Sequence, residues 1–102
     1  MQEAEYLQLL DDIEDVDLYI AELRKANGGK KGTADTYEIA RCEAQASHMR
    51  GLKHFWEIKA VAAATGAVLP EYGGSQVTAP IGEAIRRKAQ ERGFVLRQER
   101  VA

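Results

Sequence analysis

Ala26-Asn-Gly-Gly-Lys-Lys-Gly-Thr-Ala-Asp-Thr-Tyr-Glu38 sets three glycines and two lysines between two long segments that contain no proline. Asn27-Gly28 supplies the left-handed residue of a helix stop, and Arg24 and Lys25 suit the carbonyl end of the helix before it. Asp35-Thr-Tyr-Glu38 is a capping-box variant, which predicts Asp35 as the N-cap of a second helix and Glu38 as its reciprocal partner. A stop followed within a few residues by a start predicts an antiparallel helical hairpin.

The same loop raises a chemical question, because glycine beside lysine is how chains cradle phosphate. A P-loop needs Gly-Lys-Ser/Thr after a buried strand; here Gly32 is followed directly by Thr33 and the preceding segment is helical. Gly29-Lys-Lys-Gly32 resembles the GxxG loop of KH domains, but that loop joins short helices with β-branched flanks, and here the flanks are Gly28 and Asp35. Turn chemistry remains.

Working outward, residues 3 to 26 hold no glycine or proline, and Tyr6, Leu9, Ile13, Val16, Ile20 and Leu23 recur at steps of three and four. Leu7, Leu10, Leu18 and Ala21 widen this apolar arc beyond what one neighbour covers, so helix one is expected to be central or to be buried by a second subunit as well. Asp17 falls inside the arc and is expected to pair with Lys53 on the next helix, since an unpaired buried charge costs several kcal/mol. Asp11, Asp12, Asp15 and Glu22 are expected to be solvated.

Helix two is predicted over 35 to 65. Cys42, Met49, Trp56 and Ala63 form a seven-residue line flanked by Ile39, Ala46, Lys53 and Ala60, the natural seam for helix one. A connection from Gly66 to Val77 is expected to pack over the hairpin through Val68, Leu69 and Tyr72. Thr78 with Pro80 marks the start of a third, shorter helix over 79 to 92, stopped by Gly93. Phe94-Val-Leu96 is expected as a short extended tail docked on the core. The fold class is therefore all-α, in one domain spanning 1 to 102.

The 102 residues carry a net charge of −2, unevenly spread. Residues 1 to 23 hold eight acids and no base, whereas 24 to 80 and 81 to 102 each carry a net +3. An acidic helix thus faces a mildly basic remainder. No apolar run approaches the roughly 20 residues of a membrane span, the N-terminus has no leader pattern, and the single Cys42 has no disulfide partner, so a reducing cytoplasmic location is expected.

Catalytic signals are sparse. Cys42 lies on an apolar stripe, no serine sits in an elbow motif, and His48, His54 and Cys42 lack metal-ligand spacing, so neither an enzyme, a cofactor nor a metal is expected. Two readings follow. In the first, the chain is a non-enzymatic adaptor or inhibitor that binds another protein, as a homodimer, through Asp11, Asp12, Asp15, Leu18 and Glu22. Small acidic chains of this type are what bacteriophages and other mobile elements encode against host defence, anti-CRISPR inhibitors among them. In the second, Lys30, Lys31 and the basic third helix, with Arg86, Arg87, Lys88 and Arg92, contact nucleic acid. A pI near 5.7 disfavours the second reading.

Overall fold

The computed structural model describes residues 3–97, and among them the chain forms α1 (Glu3–Asn27), α2 (Ala34–Thr65) and α3 (Ala79–Arg92), with no strand. The expected all-α architecture is present: α1 and α2 make a long antiparallel hairpin, α3 is shorter, and an extended tail follows it. Glu99, Arg100 and the other residues after Arg97 lie outside the described residues.

The turn between α1 and α2 is built by its own side chains. Gly28 and Gly32 take φ of 61° and 71°, a region where a Cβ is strained. Asn27 Nδ2 donates to the Lys30 carbonyl at 2.7 Å, and Thr33 Oγ1 donates to Asn27 Oδ1 at 2.6 Å. The N-cap of α2 is Thr33 and not Asp35: the Thr33 hydroxyl accepts from the Thr36 amide at 3.2 Å. Asp35 sits inside the first turn, where its carboxylate is claimed by another helix.

α1 is the central element. Its Leu9, Val16 and Leu23 are 1% exposed or less and share one buried core with Cys42, Met49 and Leu52 of α2. Each such buried aliphatic side chain stabilises the fold by about 1.5–3 kcal/mol. The second neighbour that the wide apolar arc called for is supplied within the chain by α3 and the tail. α3 runs parallel to α1 and antiparallel to α2, since Arg86 meets Asp12 and Asp15 while Lys88 and Arg92 reach Glu38 and Asp35. Ile85 and Ala89 bury its narrow apolar stripe.

At Gly93 the chain reverses with φ of 72° and lays the tail back along α1. Phe94 packs on Tyr19 with ring centroids 6.0 Å apart, Leu96 is fully buried, and the Arg97 amide donates to Asp15 Oδ1 at 3.0 Å. The connection between α2 and α3 packs as expected through Tyr72, whose ring lies 5.1 Å from Phe55, but Val68 stands 95% exposed. His48 Nε2 donates to the Ser75 carbonyl across 2.9 Å, fixing the loop to the flank of α2. A Cβ at Gly74 would come within 2.9 Å of both the His48 and Tyr72 rings, so a larger residue there would have to displace them.

Candidate functional site

The acids of α1 do not form one solvated face. Asp12 and Asp15 are 1% and 0% exposed, and both are held by Arg86 of α3. Arg86 Nε donates to Asp15 Oδ2 at 2.9 Å, its Nη2 donates to Asp12 Oδ1, and Gln8 Nε2 adds a donor to the same Asp12 oxygen at 2.9 Å. This corrects the expectation that Asp12 and Asp15 are available to a partner. Two buried carboxylates around one guanidinium fork satisfy each other's hydrogen-bonding capacity, which is the condition under which burying such charges is tolerated. Burial works against the Arg86 charge, but the two carboxylates outweigh it and hold the guanidinium above its ordinary pKa.

The remaining predicted contacts of α1 are also engaged. Asp11 pairs with Arg97 at 2.9 Å and Glu22 with Lys25 at 3.2 Å, while Leu18 is half-buried against the core. Asp17 pairs with Arg50, not Lys53, and is 44% exposed; Lys53 instead meets Glu57 one turn on, at 3.1 Å. Asp17 lies outside the core because Leu7 and Leu10, which widen the apolar arc around it, are not core residues: Leu7 is 51% exposed.

The basic residues of α3 are mostly consumed inside the molecule. Arg86 is taken by α1, Lys88 Nζ donates to Glu38 Oε2 at 3.2 Å, and Arg92 grips Asp35 with two bonds of 2.9 and 3.1 Å while lying over the Phe94 ring. Arg92 holds the Asp35 carboxyl below its usual range. Lys30, Lys31 and Arg87 are exposed and have no carboxylate partner among the described residues.

Glu38, expected only as the capping-box partner of Asp35, is a hub between all three helices. It accepts from Arg41 Nε at 2.7 Å, from Lys88 and from the Tyr19 hydroxyl at 3.3 Å. Burial disfavours its charge, but the Arg41 and Lys88 hydrogen bonds prevail and lower its pKa. Tyr19, buried and facing this carboxylate, is pushed up to about 12.

The feature that no other described residue covers is the end of α2. The seam that buries Cys42, Met49 and Trp56 against α1 continues into Ala60, Ala63 and Ala64, yet these three are exposed. α1 begins at Glu3, and its Tyr6 hydroxyl meets Glu57, so the last turns of α2 run on past it. On the other faces Ile58 and Val61 are 40% and 64% exposed. From Ile58 to Leu69 the only charge is Lys59. A helix apolar all round is ordinarily covered on all sides. Clefts of about 550 and 350 Å3 flank it, the first between Phe55, Ala63 and Leu69, the second between Leu9, Trp56 and Val77, with Gln76 on the wall shared by both. The apolar alanine line was visible in the sequence, but its exposure depends on where α1 starts in register.

No group of three His, Cys, Asp or Glu side chains is placed to hold a metal ion among the described residues, and no described helix is long and apolar enough to cross a membrane. The chain matches no protein-family model, no curated protein and no solved structure.

Proposed function

We propose that this protein acts by binding rather than by catalysis, as a small adaptor or inhibitor that holds another protein against the projecting end of α2. The observation that carries the reading is the uncovered continuation of the α2 seam through Ala60, Ala63 and Ala64, together with exposed Val61. Contiguous exposed apolar surface of this kind marks interaction sites in soluble proteins. The contact region is thus the end of the bundle, not the α1 face bearing Asp11 and Glu22. Inhibition of host defence is one role such a module fills. Internal pairing of Arg86, Lys88 and Arg92 counts against a nucleic-acid role for α3.

The test is Val61→Gln/Ala64→Gln, which replaces apolar surface with polar bulk while keeping good helix formers. Wild type and variant are used as bait with native-host extract, and helical circular dichroism confirms equal folding. A protein retained by wild type and lost with the variant, then rebound in purified form, supports the proposal. Identical retention by both baits sinks it.

A further inference from the structure

Electrostatics at the projecting end of α2 indicate what kind of chain covers it. This step rests on the proposed interaction face and asks which occupant fits. Around this end, among the described residues, Glu3 and Glu5 in the first turn of α1 and Glu71 in the connection after α2 are exposed and unpaired, against one unpaired base in the same region, Lys59. Glu57, the other nearby acid, is already satisfied by Lys53 and Tyr6. The helix ends add little to this, because the carbonyl end of α2 lies on the same side of the hairpin as the amino end of α1 and their partial charges, roughly half a unit each, are opposite in sign. The apolar end is therefore bordered by negative potential.

The shape of the seam specifies the occupant further. Ala60, Ala63 and Ala64 follow the line along which α1 packs lower down, and alanine lets a helix approach to the 8–10 Å range of close helix pairs. A helix placed there would lay its apolar stripe on the alanines and its flanks beside Glu3, Glu5 and Glu71.

We infer that the occupant is an amphipathic helix of a different protein, apolar on one stripe and basic along its flanks. A second copy of this chain fits less well, because its own projecting end would bring the same negative excess against itself.

The single tryptophan, Trp56, lies at the base of the projection, is 7% exposed, and lines the cleft beside it, so its fluorescence reports occupancy. Two synthetic helical peptides serve as probes, one with a leucine–alanine stripe flanked by lysines, the other with glutamates at the lysine positions. The lysine peptide is expected to bind at least ~10-fold more tightly at low salt, the gap closing as salt screens exposed charges. Glu3→Lys/Glu5→Lys should narrow that preference, and Val61→Gln/Ala64→Gln should weaken both peptides. Equal affinity for the two peptides, a preference for the glutamate peptide, or binding of neither overturns the inference. A dimer in light scattering that Val61→Gln/Ala64→Gln dissociates also overturns it, by making a second copy the occupant, while leaving the interaction face intact. Failure of the face itself would be read separately, as peptide binding and oligomeric state both insensitive to that double variant.

Discussion

Arg86 Nε lies 2.9 Å from Asp15 Oδ2, joining the third helix to the first across 71 residues of chain. Because the same guanidinium also holds Asp12, removing it leaves two buried carboxylates without their counter-ion. Arg86→Met should therefore destabilise by about 3–5 kcal/mol, the usual penalty for orphaning a buried charge. Urea unfolding followed at 222 nm measures it. Adding Asp12→Asn and Asp15→Asn to that variant should recover part of the loss; a triple variant no more stable than Arg86→Met would show that packing, not charge, dominates.

Gly82 sits where α3 passes over this cluster, and a Cβ there would overlap Asp12 Oδ1. In a free helix Gly→Ala gains up to about 1 kcal/mol. Here the carboxylate cannot swing aside, because Arg86 and Gln8 both hold it. Gly82→Ala is expected to lower stability by about 1–3 kcal/mol, the range for overpacking. A raised melting temperature would contradict the close approach.

Asp17→Ala supplies the contrast. Its partner Arg50 is 51% exposed and the pair lies at the surface, so the change should stay within about 1 kcal/mol. Thermal unfolding of this variant beside Arg86→Met separates a solvated ion pair from a buried one.

The pH dependence follows from Glu38. Its pKa is lower in the folded protein than its ordinary value, so its contribution is fully present above about pH 4.3 and disappears as pH falls through the folded value. Protonation would release Arg41 and Lys88 together. Urea midpoints taken between roughly pH 6 and pH 3 should fall for wild type, and less steeply for Glu38→Gln. Parallel curves would remove Glu38 from the acid response.

Cys42 is wholly buried, and burial raises its thiol pKa. An aromatic disulfide reagent should label it only through global opening, at a rate that Arg86→Met accelerates. Immediate labelling of the native protein would mean the seam opens locally.

Element positions were legible because their punctuation is local: Asn27-Gly28, Pro80 and Gly93 each act on the backbone beside them. The cap of α2 shifted to Thr33 because Asp35, the better capper by type, is drawn off by Arg92 from 57 residues away. Face assignment on α1 failed for a related reason. Hydrophobicity alone drew the arc through Leu7 and Leu10, whereas the face that α3 covers is built on Tyr19, Asp12 and Asp15, two of them charged. Only the opposite net charges of the first and last segments hinted at that pairing, and they do not say which acids take part. The projecting end of α2 was hidden because register between helices is a tertiary property.

The buried carboxylates of α1 also bear on how the chain survives its own synthesis. The hairpin can close over a short turn before α3 has been made, and at that moment the side of α1 that α3 will later occupy faces water. Two hydrated aspartates stand there in place of a second leucine stripe, so a half-made chain offers neighbouring chains little to stick to on that side. In such a sequence the final helix would dock by exchanging their water for the one guanidinium of Arg86.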